Sequence, residues 1–208
     1  MDSNWAAEHL QVIRTLMERT AVYRRALAPI MLTTGVLGCL AGALGWRQGW
    51  DSPRAFAAFW LMVCFLCIFI SLLLVRRQAL RDSEPFWSPP TRRVTEALLP
   101  AFFAGFMTVI AMFLPRWGDS LHAWWLPTIW MIIYGCASHA AGFFMPRGIR
   151  LLGWLFILAG SGLFIGLSFR NGVPPLRWGH AIMGGAFGGL HLAYGVYLYL
   201  TERSKNAA

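Results

Sequence analysis

The stretch AFAAFWLMVCFLCIFISLLLV, residues 55–75, decides the fold. It runs 21 residues without a charge, and as a helix rising 1.5 Å per residue it would cover about 30 Å, the thickness of a bilayer's hydrocarbon core. A membrane β-strand would instead alternate apolar and polar residues over about ten positions. Working outward, the same absence of charge recurs from Ala26 to Trp46, Ala97 to Pro115, Ser120 to Pro146, Leu151 to Phe169 and Trp178 to Thr201. Six such runs predict an all-α, polytopic integral membrane protein. The expected fold is a six-transmembrane-helix bundle with spans near 26–46, 55–75, 97–115, 121–146, 151–169 and 179–201. Composition agrees: of 208 residues 57% are hydrophobic and 13% charged, about half the charge of a soluble domain.

Basic residues set the expected orientation. Arg14, Arg19, Arg24, Arg25, Arg76, Arg77, Arg81, Arg92, Arg93, Arg147, Arg150, Arg203 and Lys205 fall on one side of the alternating spans. Only Arg47, Arg54, Arg116, Arg170 and Arg177 fall on the other. Positive charge accumulates on the cytoplasmic side, so both termini are expected there. The net charge of +9 is then explained by topology and by attraction to anionic headgroups. A nucleic-acid binder would gather its basic residues in one patch or helix, so no nucleic-acid partner is expected. Ala41-Gly42-Ala43 and Cys39 faintly imitate signal-peptide and lipoprotein sites. The long, mixed-charge region before them, with Glu8 and Glu18, favours an uncleaved anchor.

Outside the spans, residues 1–25 place Trp5, His9, Val12, Ile13, Leu16 and Met17 at three- and four-residue steps, the pattern of an amphipathic helix lying on the cytoplasmic leaflet or docking a cytoplasmic partner. Residues 202–208 form a short tail. Between Arg76 and Glu96, Pro85, Pro89 and Pro90 require a turn. Ser88-Pro89 reads there as a helix start, N-cap followed by first helical residue.

Small residues mark faces where helices can approach closely. Gly35, Gly38, Gly42 and Gly45 line the first run. Gly184/Gly188 and Gly185/Gly189 form overlapping G-x-x-x-G pairs in the sixth, and Gly162/Gly166 another in the fifth. They predict contacts within one bundle and, secondarily, a seam for a homo-oligomer.

No Asp, Glu, Lys or Arg lies inside a run, which weighs against proton-coupled carriers and pumps, since these retain intramembrane charges for work. A facilitator of neutral or lipid-like solutes stays open. The remaining chemistry is histidine, cysteine and hydroxyl. His139 precedes Arg147 by eight residues and His191 precedes Glu202 by eleven, depths of about 12 and about 16 Å from one boundary. Two imidazoles at one level on facing helices can hold a b-type haem, or a metal ion with Cys136. The alternative is that each bonds a neighbouring helix, His191 to Ser161 for example. Ser161 lies in Ala159-Gly160-Ser161-Gly162, which resembles the G-x-S-G string of intramembrane serine proteases but departs at its first glycine. Cys64 and Cys67 form a C-x-x-C on one helix face; hydrocarbon suppresses the thiolate that redox or metal chemistry needs, so they read as small apolar filler.

Met17-Glu18-Arg19 with YRRALAPIM at 23–31, FWSPPTRR at 86–93 and HAAGFFMPRG at 139–148 resemble a family of small, six-span bacterial inner-membrane proteins without assigned activity, over most of the chain. The resemblance implies one membrane domain, residues 26–201, in a bacterial cytoplasmic membrane. It implies no activity and no residue roles. The expected function is therefore a non-enzymatic scaffold, regulatory or accessory subunit with a membrane or cytoplasmic protein partner. The alternatives are a haem or metal redox protein using His139 and His191, and a solute facilitator.

Overall fold

A computed structural model describes the backbone of residues 3–114 and 120–206 and the side chains of residues 26–114 and 122–201. Within them the chain is helical: α1 (Ser3–Gln48), α2 (Pro53–Arg81), α3 (Pro89–Phe113), α4 (Ser120–Ala141), α5 (Gly148–Ser168), α6 (Arg177–Met183), a π-helical segment (Gly184–Leu190) and α7 (His191–Asn206). No strand occurs among the described residues. Five stretches are long and apolar enough to cross a membrane: Ala26–Gln48, Pro53–Arg81, Pro89–Phe113, Gly148–Ser168 and Arg177–Thr201.

The helix starts follow local chemistry. Gly49 takes φ +64°, the left-handed conformation that glycine adopts without steric cost and that closes α1. Ser52 then caps α2, its Oγ accepting the Ala55 N–H at 3.3 Å, with Pro53 at the first helical position. Ser88 is the N-cap residue of α3, ahead of Pro89, but its hydroxyl bonds the Thr91 hydroxyl at 3.0 Å rather than a backbone N–H. Pro29, Pro100 and Pro127 stand inside helices.

Three expectations differ from what forms. The helix runs unbroken through position 25, so the first apolar run and the stretch before it share one 46-residue rod; the side chains of the amphipathic stretch and of the 202–208 tail lie outside the described residues. The fourth run, charge-free to Pro146, stops being helix at Ala141, and residues 142–147 turn back into α5. Charge marks where water begins, not where a helix ends. Finally, α4 is absent from the five apolar stretches. Its Trp124, Trp125, Trp130, Pro127, Tyr134 and His139 dilute its hydropathy, yet it packs against α2, α3, α5 and α6.

Two of these tryptophans bond inside the bundle. Trp124 Nε1 donates to the Pro174 carbonyl at 2.8 Å, and Trp130 Nε1 to Thr108 Oγ1 at 2.9 Å and the Gly105 carbonyl at 3.2 Å. Trp124, Leu126, Thr128 and Met131 are fully buried. A helix surrounded by protein needs no lipid-facing hydrophobicity, which is why hydropathy alone passes over it.

Two apolar cores stack along the bundle. One, around Phe56, Trp60, Met112, Trp124, Leu176 and Met183, lies towards the 49–52 loop. The other, around Leu27, Met31, Met131, Leu152, Phe156 and Leu198, lies towards the opposite end.

Candidate functional site: two buried histidine networks

A backbone-close seam between α1 and the last rod sets both histidines. A Cβ on Gly42 would stand 2.7 Å from Gly184 Cα, and one on Gly38 2.7 Å from Gly188 Cα. The seam continues as Gly45 against the His180 ring, Gly35 against Leu192 and Leu32 against Gly195. From 45 to 32 α1 advances 13 residues, while its partner advances 15 from 180 to 195. The wider π turns, closed by i→i+5 bonds, absorb the difference. Gly185 and Gly189, expected to pack as Gly184 and Gly188 do, face open space, as do Gly162 and Gly166. On α5 the close approaches are made by Gly153 on Gly135 and by Gly160 on the Thr128 carbonyl.

His180 is fully buried. Trp60 Nε1–H, which can only donate, reaches His180 Nδ1 at 3.1 Å. The proton therefore sits on Nε2, which donates to the Trp50 carbonyl at 3.3 Å. Phe56 and Phe59 meet the imidazole edge-on with ring centroids 4.8 and 5.6 Å away. Gly45 leaves the room that the ring occupies, since any side chain there would collide with it. Beside this network, Asp51 Oδ1 is buried without a hydrogen-bond partner.

His191 follows the π segment directly. Its backbone N–H goes to the Gly188 carbonyl, and its side-chain Nδ1 bonds the Phe187 carbonyl at 2.7 Å. A carbonyl only accepts, so Nδ1 carries the proton. The neutral ring then accepts at Nε2 from the Tyr134 hydroxyl at 2.6 Å. Phe156 and Phe187 close around the pair. The partner of His191 is thus Tyr134 and not Ser161. Replacing Tyr134 with Phe should leave Nε2 buried without a donor and cost about 1 kcal/mol, read as a lower unfolding midpoint of the purified protein. An unchanged midpoint would remove this bond from the account.

His139 belongs to a different surface. Its ring meets Phe143 and Trp154 at 5.5 and 5.7 Å, and its Nδ1 is buried without a partner. Tyr134, which faces His191, lies five residues earlier on α4, about 140° around the helix. The structure therefore does not bring His139 and His191 together as a haem or metal pair: the His139 ring projects from α4 towards Phe143 and Trp154, while His191 meets α4 at Tyr134. Among the described residues no three of His, Cys, Asp and Glu gather as a metal-binding group. Cys64, Cys67, Cys39 and Cys136 are free thiols.

The sequence offered no signal for the Tyr134–His191 pair or for the π segment. The Trp60–His180–Trp50 network left no mark in the sequence either. Compared with known proteins, the chain matches no family model, no curated protein and no solved structure.

Proposed function

We propose that this chain is a six-span bacterial inner-membrane protein, α4 being the sixth crossing, with both termini cytoplasmic, and that it acts non-enzymatically as a scaffold, regulatory or accessory subunit. The observation that carries this reading is that all four ring nitrogens of His180 and His191 are engaged in internal bonds. Such imidazoles hold helices in register, with no lone pair left for a metal and no proton left for a substrate. The charge-free runs support the same conclusion by supplying no relay for coupled transport.

One observation favours the redox alternative: His139 Nδ1 is buried and unpartnered. Native mass spectrometry with an absorption spectrum on gently extracted protein separates the two. The expected result is a colourless preparation whose mass is the chain plus lipid, a second copy or a protein partner. A stoichiometric haem peak and Soret band, both lost in His139→Ala, would overturn the scaffold reading in favour of the redox one.

A further inference from the structure

At the end of the bundle formed by the α2–α3 and α4–α5 connections, arginines and aromatic side chains from three elements converge on one turn. Phe143 and Phe144, 66% and 47% exposed, are successive residues of the α4–α5 turn. The Arg150 guanidinium from α5 stands 5.3 Å from the Phe143 ring, and that of Arg93 from α3 stands 6.0 Å from the Phe144 ring. A Cβ on Gly142 would collide with the Arg150 stem, so glycine there lets the arginine lie down against the turn.

Neither arginine has a carboxylate partner among the described residues. Glu96, the acid nearest to Arg93 in sequence, is taken by Arg92 at 2.7 Å. Arg150 is half-buried, its stem against Gly142 and its guanidinium over the Phe143 ring, which leaves its N–H donors open to an anion. A second and independent sign lies in the same cluster. His139, whose ring touches Phe143 and Trp154, holds one of the two buried side-chain polar atoms without a partner among the described residues.

The geometry points to a binding site for the phosphate-bearing headgroup of an anionic phospholipid, held by Arg93 and Arg150 over the Phe143–Phe144 turn. Guanidinium forks match phosphate oxygens in pairs. The exposed phenyl rings and the half-exposed Trp154 would lie against the glycerol and upper acyl region, where aromatic rings prefer to sit. Basic pockets between spans at the cytoplasmic leaflet are the general form of such sites. The inference rests on the membrane-spanning reading above.

The test is native mass spectrometry of the full chain, released from mixed micelles holding equal phosphatidylglycerol, cardiolipin and phosphatidylcholine. Wild type should retain anionic over zwitterionic lipid by more than about tenfold. Arg93→Gln with Arg150→Gln should bring that ratio close to one, each arginine near a headgroup surface accounting for about fivefold. Arg47→Gln with Arg54→Gln, at the opposite end, should leave it unchanged. Arg93→Lys with Arg150→Lys keeps the charge and guards against misfolding; it should lose several-fold through the missing fork. Equal retention of all three lipids by wild type would overturn the site while leaving the membrane reading intact. Retention of none, with a chain that stays monodisperse without detergent, would overturn the membrane reading itself. Displacement of the lipid by millimolar inorganic phosphate would show the ligand to be a soluble phosphate and overturn the lipid assignment.

Discussion

Gly38→Leu is expected to destabilise the protein by about 3 kcal/mol or more, while Gly189→Leu, one position past its partner Gly188, changes stability by less than about 0.5 kcal/mol. The contrast follows from what each new side chain meets. At Gly38 the first added carbon already stands 2.7 Å from Gly188 Cα and 2.8 Å from Gly188 N. These are backbone atoms that no rotamer change can move. The two rods must separate along their length, and the contacts at Gly42 and Gly35 separate with them. At Gly189 nothing lies within 4 Å. Equilibrium unfolding of both variants by detergent titration provides the comparison. Equal losses at the two positions would mean that the seam is not where the helices meet.

His180→Ala is the second large effect, with an expected loss of about 3–5 kcal/mol. Truncation opens a cavity among Phe56, Phe59 and Trp60 and strips two bonding partners at once. Trp60 Nε1–H loses its acceptor and the Trp50 carbonyl its donor. His180→Gln discriminates bonding from volume. Its amide offers one donor and one acceptor, so it should recover part of the loss if the hydrogen bonds matter. A matched loss for Ala and Gln would leave only ring packing as the role of His180. Because this network ties the 49–52 loop to α6, His180→Ala should also speed proteolysis at that loop.

Charge-free length made the helical class readable, because a long segment without a water-preferring group leaves few stable arrangements. Gly38, Gly42, Gly184 and Gly188 were readable too, since close approach needs small residues at regular spacing. Gly185 and Gly189 share that spacing but meet nothing within the chain: the period states which residues share a face, not which face finds a partner inside the bundle. The π segment was illegible because its cause is a mismatch between two rods, 13 residues against 15, and no local pattern records the length of a distant partner. Tyr134 was missed for a similar reason. Nothing near it in sequence indicates that α4 is enclosed, with Trp124 buried and Trp130 bonded internally. Rise per residue suggested one level for His139 and His191, but it carries no azimuth, and His191 meets α4 at Tyr134, about 140° around the helix from His139.

The threading of α4 carries the whole topological account. Paired reporter fusions, one active only in the cytoplasm and one only outside it, should be placed after Gly49, Glu84, Leu114, Met145 and Gly172 of the full-length chain. The account predicts strict alternation, with the Glu84 and Met145 fusions cytoplasmic and those at Gly49, Leu114 and Gly172 on the far side. If Leu114 and Met145 report the same side, α4 does not cross, and the six-span assignment is wrong.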